Sequence, residues 1–279
     1  MVVHIREGCS VLINSLRVRS NGVELIALDY GGNESQDILL LHGLAGRGSE
    51  WENTAEWLIQ YGRVIALDQR GHGSSRTNVT DFSRSAYVQD AIETIEQHCT
   101  QPIVLVGQSM GGLNAFLVAA KRPDLVKALV VVEATPERNR NAQHDIQNWL
   151  DNWPAPFQNL DDAKEFFGGD TLYSRTFAKS LEKRKDGYWP AFNKEDMIHS
   201  LDDVVSKDYW DEWKKIECPT LVVAGERSSI TKPLLEKMIS SIPKGQYVYI
   251  PEAGHDLHLE RPDEWGKALE DFLNTLKYD

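Results

Sequence analysis

Cysteine is scarce in this chain of 279 residues, and the three present, Cys9, Cys99 and Cys218, are scattered. None lies in a Cys-x-x-Cys pair or at metal-ligand spacing, which argues against a disulfide framework and against a bound metal. Cys99 and Cys218 border apolar segments and read as buried free thiols, so the simplest compartment is a reducing cytoplasm. Long hydrophobic runs are missing too. No stretch approaches the roughly 18 uninterrupted apolar residues of a membrane span, so no membrane association is expected. The opening residues, Met1 to Glu7, carry no basic region followed by an apolar core, and no secretory signal is expected. Positive charge is in deficit: 30 Lys and Arg face 42 Asp and Glu, a net charge of −12. Nucleic acids and anionic membranes reward clustered Lys and Arg, so neither is expected as a partner. The same balance speaks mildly against an anionic substrate. Internal repeats and low-complexity segments are also absent.

What is present is a rhythm of apolar segments. Strand-like runs cover Val11–Val18, Val23–Tyr30, Ile38–Leu41, Arg63–Leu67, Ile103–Val106, Ala128–Val132, Thr220–Ala224 and Gln246–Ile250. The first two alternate and are separated by Ser20-Asn21-Gly22, a hairpin signal. From Ile38 onward the runs are continuous, as in parallel strands buried on both faces. Amphipathic stretches lie between them at Trp51–Tyr61, Ser85–His98, Met110–Arg122, Lys232–Ser241 and Asp263–Lys277. The order predicts an α/β fold with a mostly parallel, eight-stranded, doubly wound sheet and an antiparallel start. One interval breaks the rhythm. Residues 135–216 separate the sixth run from the seventh, far more than a plain crossover needs. They hold about half of the aromatics, including Trp149, Trp153, Phe157, Phe167, Phe177, Tyr209, Trp210 and Trp213, with Pro154, Pro156, Gly168-Gly169 and Gly187 as breakers. Several short helices are expected there, forming a small subdomain with its own core, a lid over a pocket at the carboxyl ends of the strands, or both. The resulting division is a core of 1–134 and 217–279 with a helical cap of 135–216.

The chemistry-bearing stretch is Gly107-Gln108-Ser109-Met110-Gly111. It joins the run Ile103–Val106 to the helical pattern from Met110. A serine there, flanked by glycines two residues away on either side, must occupy a very tight turn, with no β-carbons to collide as strand and helix close up. The turn lifts the hydroxyl out, and the helix start aims N–H groups and partial positive charge at it. Such a nucleophile needs a base, a group to orient the base, and donors for the oxyanion. His255 is the candidate base. Of eight histidines, it alone follows a glycine just past a late strand, in a loop that a parallel sheet brings to the Ser109 edge. His258 is second and is expected to face solvent or cap the next segment. The oxyanion donors would be the N–H of Met110 and that of Leu44, in His42-Gly43-Leu44-Ala45-Gly46. His42 is expected to shape this loop rather than carry protons.

These residues resemble the α/β-hydrolase fold superfamily of serine hydrolases. The matches are His42-Gly43, Asp68-Gln69-Arg70-Gly71-His72-Gly73-Ser74-Ser75, Gly107–Gly111 and Gly254-His255, in order, with a weaker one at Cys218–Glu226. They cover the chain from about Val11 onward, apart from the insert. The resemblance implies a lid after the sixth strand and hydrolysis of an ester-like bond through an acyl-enzyme. It also implies that Asp68 and Arg70 fix loops without reacting. One departure matters: where such proteins carry the aspartate after the seventh strand, this chain reads Gly225-Glu226-Arg227-Ser228, and serine cannot steady an imidazolium. Some members place the acid after the sixth strand, where Glu133 stands. A lone carboxylate ending an apolar strand is costly to bury without a partner, and His255 is a sensible one. Glu133 is therefore the expected acid, with Glu226 second and, after it, Asp256 or no acid at all; the competing role for Glu133 is a salt bridge to Arg138 or Arg140.

The resulting expectation is a serine hydrolase of a small, fairly apolar carboxylic ester or lactone, needing no cofactor, with Ser109, His255 and Glu133 as its triad. Rival readings are cofactor-free haloperoxidase or perhydrolase chemistry, carbon–carbon bond hydrolysis, and a non-catalytic receptor that keeps the fold. Epoxide and haloalkane hydrolysis would need a carboxylate at position 109. Substrate identity and oligomeric state stay open at this level.

Overall fold

The computed structural model describes the chain except residues 1, 6–8, 33–35, 101 and 277–279, and describes residues 2–5 and 9–12 by backbone alone. A short hairpin, β1 (Val2–Ile5) and β2 (Cys9–Leu12), precedes β3 (Asn14–Ser20), β4 (Val23–Gly32) and β5 (Asp37–Leu41). Next come α1 (Glu52–Leu58), β6 (Arg63–Asp68), α2 (Arg84–His98), β7 (Ile103–Gln108), α3 (Met110–Lys121) and β8 (Val126–Val132). The insert holds α4 (Ala142–Asp151), α5 (Leu160–Phe166), α6 (Leu172–Ser180), a hairpin of β9 (Glu182–Arg184) and β10 (Gly187–Trp189), α7 (Lys194–His199), α8 (Asp202–Ser206) and α9 (Trp210–Trp213). The chain returns through β11 (Thr220–Gly225), α10 (Lys232–Ser240), β12 (Gly245–Ile250), α11 (Leu257–Glu260) and α12 (Pro262–Thr275).

Eight strands form the central sheet in the order β12-β11-β8-β7-β5-β6-β4-β3. Neighbours pair in parallel except that β4 runs antiparallel to both β3 and β6. Continuous apolar runs produce this sheet because both of its faces are covered. Leu39, Leu41, Leu105, Leu129 and Val222 face a core built with α2, α3 and α10. Ile38, Leu40, Val104, Val130 and Val223 face the opposite core, against α1 and α12. Adjacent residues on one strand thus enter different cores, as the two-residue strand period requires.

Two local expectations change. The run Val11–Val18 is divided at Ile13: Val11 and Leu12 pair with the β1 strand, and only Asn14 onward joins the large sheet. The insert contains a hairpin as well as helices. Gly187 adopts φ +142° and follows Lys185-Asp186, and an Asp-Gly step is a hairpin signal rather than a mere breaker. The predicted end of the last helix, Lys277, lies outside the described residues.

Most insert aromatics pack on one another. Trp153 meets Trp149, Phe167, Phe177 and Phe192 with ring centroids 4.8–6.2 Å apart, within the range of favourable edge-to-face contacts. Tyr209 and Trp213 belong to the sheet's own core instead, with Trp213 5.3 Å from Phe116 of α3.

Candidate active site

Ser109 occupies the turn between β7 and α3 at φ +52° and ψ −116°. Side chains rarely adopt this backbone conformation, and it persists because its surroundings leave no alternative. The glycines are a matter of contact. A β-carbon on Gly107 would lie 2.1 Å from the Gly111 carbonyl oxygen, and one on Gly111 would lie 2.2 Å from that of Leu41. The Ser109 N–H donates to the Val132 carbonyl (2.8 Å), which ties the turn to the end of β8.

The chain's distant parts meet at this point. Ser109 Oγ lies 2.9 Å from His255 Nε2. His255 Nδ1 lies 3.2 Å from Glu133 Oε2, and the other Glu133 oxygen accepts the Gly225 N–H at 2.6 Å. Glu133 is 4 % exposed and takes a left-handed φ of +53°. Its N–H continues the parallel ladder to Val223 (2.9 Å) while its carboxylate turns across the end of β11. A β-carbon on Gly225 would lie 2.4 Å from the Ala253 carbonyl oxygen, so glycine there lets the His255 loop approach. Neither Arg138 nor Arg140 reaches Glu133. Glu226 instead accepts the Glu252 N–H (3.0 Å), and Asp256 makes a long contact with Gln108 (3.5 Å); neither bonds the imidazole. Ser228 closes its own turn by accepting the Ile230 N–H.

Just over half of the His255 side chain, 55 %, is exposed. Burial pulls its pKa down, but the Glu133 hydrogen bond and the Asp256, Glu133 and Glu260 carboxylates outweigh that and hold it above the ordinary value. With Nδ1–H directed at a carboxylate, Nε2 is left to accept the serine proton.

The two proposed donors border the same cavity. Met110 N–H opens α3 and has no partner within the helix. Leu44 N–H makes no hydrogen bond among the described residues. A β-carbon on Gly43 would fall 2.1 Å from Gln108 Oε1 and 3.4 Å from Ser109 Cβ, so this loop is pressed against the serine turn. His42 shapes it: Nδ1 faces the Gly43 carbonyl (2.7 Å), and Nε2 accepts the Gln69 N–H (3.0 Å). Asp68 accepts from the N–H groups of Gly48 (2.6 Å) and Ser74 (2.7 Å), and Arg70 grips Asp90 with two bonds of 2.5 and 2.6 Å. Both hold loops together.

His258 departs from expectation. It is 1 % exposed and stacks on Trp51 with centroids 4.6 Å apart, its Nε2 lying 3.5 Å from Glu50. The apolar Leu257 and Leu259 beside it carry the short helix α11 into the protein, and the imidazole goes with them.

A cavity of about 850 Å³ opens onto Ser109 and His255. Its apolar wall includes Leu44, Met110, Leu113, Ile146, Val204, Ile230 and Leu234, and its polar wall includes Arg84, Glu137, Arg138, Arg140, Asp145 and Asp208. Trp210 is the one insert aromatic on it, and most of the others form the insert's own cluster. Among the described residues, no group of three or more His, Cys, Asp or Glu is placed to hold a metal.

The profile described as the alpha/beta hydrolase family matches residues 38–268. The chain belongs to the alpha/beta hydrolase family. It is 26 % identical over 274 residues to a putative 2-succinyl-6-hydroxy-2,4-cyclohexadiene-1-carboxylate synthase of Bacillus subtilis (strain 168), over 92 % of this chain and 97 % of that protein. It is 28 % identical over 276 residues to the serine hydrolase BPHL of Homo sapiens, over 94 % of this chain and 87 % of that one. The crystal structure of an E-2-(acetamidomethylene)succinate hydrolase superposes with a TM-score of 0.84 at 24 % identity, over 94 % of this chain and 100 % of that one, a likeness of fold.

Several groups of this hydrolase's site carry no obvious mark in the sequence. Gln108 Nε2 donates to the His255 carbonyl (3.0 Å), and Glu260 accepts the N–H groups of Gly254 (2.8 Å) and Asp256 (3.1 Å), so the His255 backbone is held from two sides. Arg84 stands at the start of α2, where a cation opposes the helix dipole; that mismatch was the available signal.

Proposed function

We propose that this alpha/beta hydrolase cleaves a small carboxylic ester or lactone through an acyl-enzyme. The observation that carries the reading is the Ser109–His255–Glu133 chain, at 2.9 and 3.2 Å. Ser109 Oγ attacks the carbonyl carbon as its proton passes to His255 Nε2. The carbonyl oxygen becomes an oxyanion between the N–H groups of Met110 and Leu44, where each donor contributes about 2.7–4 kcal/mol of transition-state stabilisation. The tetrahedral adduct collapses, the ester C–O bond breaks, and the alcohol leaves with the proton from His255. Water repeats the sequence on the acyl-enzyme and frees the acid. Glu133 keeps Nδ1 protonated and stabilises the imidazolium. The apolar wall supports an aliphatic acyl or alcohol stem, and residues 135–216 serve as a cap that closes one side of the cavity. A cytoplasmic location is part of this reading; Cys99 and Cys218, the described thiols, are both free.

Hydrolysis of short-chain p-nitrophenyl esters tests the proposal. Ser109→Ala is expected to lower kcat by about 10⁴-fold or more, and Glu133→Gln by roughly 10³–10⁴-fold. Glu226→Gln is expected to stay near wild type. Full activity in Ser109→Ala would end the proposal, and a crippled Glu226→Gln beside an active Glu133→Gln would reassign the acid.

A further inference from the structure

Among the described residues of this acidic chain two arginines are fully buried, and they are treated very differently. Arg70, 1 % exposed, is clamped by Asp90. Arg84 is 2 % exposed, and its guanidinium has no carboxylate within 4 Å among the described residues. Its Nη1 donates to Asn114 Oδ1 (2.8 Å), its Nη2 to the Ser200 carbonyl, and its Nε has no partner. Its face rests on Tyr87, 4.6 Å from the ring centroid. Asp203 accepts the Arg84 backbone N–H (2.7 Å) but forms its ion pair with Lys207 (3.4 Å). A buried cation with only neutral acceptors is costly, and the cost is relieved by an anion brought in from outside.

The surroundings indicate where that anion would come from. Arg84 forms part of the wall of the cavity that holds Ser109, together with Arg138 and Arg140. Most arginines of the chain sit against a carboxylate, as Arg17, Arg63, Arg76 and Arg122 do. Among the described residues, Arg19, Arg84, Arg138, Arg140 and Arg227 do not, and three of these five border this one cavity. The wall also carries four acids: Glu137 pairs with Lys237 (3.2 Å) and Glu133 serves His255 (3.2 Å), while Asp145 lies beside His144 (3.4 Å) and Asp208 accepts the Trp210 N–H, so no Lys or Arg among the described residues holds these last two. The chain's net charge of −12 belongs to the whole and does not tell where guanidiniums without carboxylate partners gather.

We propose that the substrate of this site is a carboxylate-bearing acyl compound, such as a half-ester of an aliphatic dicarboxylic acid. Arg84 is its anchor, and Arg138 and Arg140 attract its charge at the cavity wall. The inference rests on the hydrolase reading for the reacting bond and on the arginines alone for the carboxylate. A guanidinium binds a carboxylate through charge-assisted, often paired hydrogen bonds.

The test has a kinetic arm and a binding arm. The first compares kcat/KM for mono-p-nitrophenyl adipate with that for its neutral adipamic analogue, above the spontaneous rate. The expected preference for the anion is roughly ten- to hundredfold, falling toward unity in Arg84→Gln and several-fold in Arg138→Gln/Arg140→Gln. The second measures adipate binding to Ser109→Ala by calorimetry and by the rise in melting temperature. Binding is expected, and it should weaken in the same arginine variants. The rim double variant and the binding arm remain decisive if Arg84→Gln fails to fold. Arginine-dependent adipate binding without any Ser109-dependent turnover would sink the hydrolase reading, and with it the reacting bond, while upholding the arginines as a carboxylate anchor. Ester turnover with no preference for the anion and no adipate binding would overturn this inference alone, as would adipate binding indifferent to all three arginines.

Discussion

Ser109 and Glu133 both adopt left-handed backbone, at φ +52° and +53°. Conformations of this kind cost about 1–3 kcal/mol each, and the two fall on either side of the same imidazole. The strain turns both side chains off the ends of their strands and toward His255. The ring's raised pKa has a kinetic consequence. Only neutral imidazole accepts the serine proton, so the acid limb of kcat/KM should lie above the ordinary histidine value of about 6.5. Glu133→Gln removes a carboxylate that favours the protonated form, so the limb should move to lower pH while the plateau falls. A pH–rate series on both proteins checks this, and an unmoved limb would detach Glu133 from His255. Ser109, His255 and Glu133 were legible because each is a polar residue at the end of an apolar segment, in a sequence context with few structural uses. Arg84 was not, because its meaning lies in the carboxylate it lacks. Gln108 and Glu260 act through backbone groups of a loop whose path no local pattern specifies.

At the scale of elements, some glycines permit close contact, others such as Gly22 and Gly168 supply a positive φ in open space, and Gly266 merely weakens a helix. Gly107→Ala would drive a β-carbon to 2.1 Å from a backbone oxygen that cannot step aside. It should cost at least about 1–3 kcal/mol of stability and disturb the serine turn. Gly266, inside α12, has only Trp57 nearby, at 3.6 Å or more. Gly266→Ala should therefore stabilise the protein by about 0.5–1 kcal/mol. Denaturant melts of the two variants should shift in opposite directions. The strands were legible because a two-sided parallel strand is written as an unbroken apolar run, and β5, β7, β8 and β11 all are. The run Val11–Val18 failed as one strand because apolarity does not say which sheet a residue joins. The β9–β10 hairpin was hidden because three-residue strands carry little pattern of their own.

The whole molecule is a sheet enclosed by helices on both faces, with an insert whose aromatics form a third cluster. Trp153 is central to that cluster and 7 % exposed. Trp153→Ala should cost about 3–5 kcal/mol, felt first within residues 135–216. Hydrogen exchange should quicken there while β5, β7 and β8 stay protected; equal loosening of the sheet would mean the insert and the core unfold as one. Composition left two readings of the insert aromatics open, a core of their own or the lining of a pocket; most of them follow the first and leave the cavity mainly to arginines, acids and aliphatic side chains. Partner choice among rings depends on tertiary packing, which aromatic content does not encode.

The account depends on one hydroxyl being made reactive by an imidazole from the far end of the chain. Intact-mass measurement after exposure to a fluorophosphonate tests it most directly. The account predicts a single adduct, mapped to the peptide containing Ser109, absent from Ser109→Ala and formed far more slowly in His255→Ala. An unlabelled wild-type protein, or an adduct on another residue with ester hydrolysis lost in step, would contradict it.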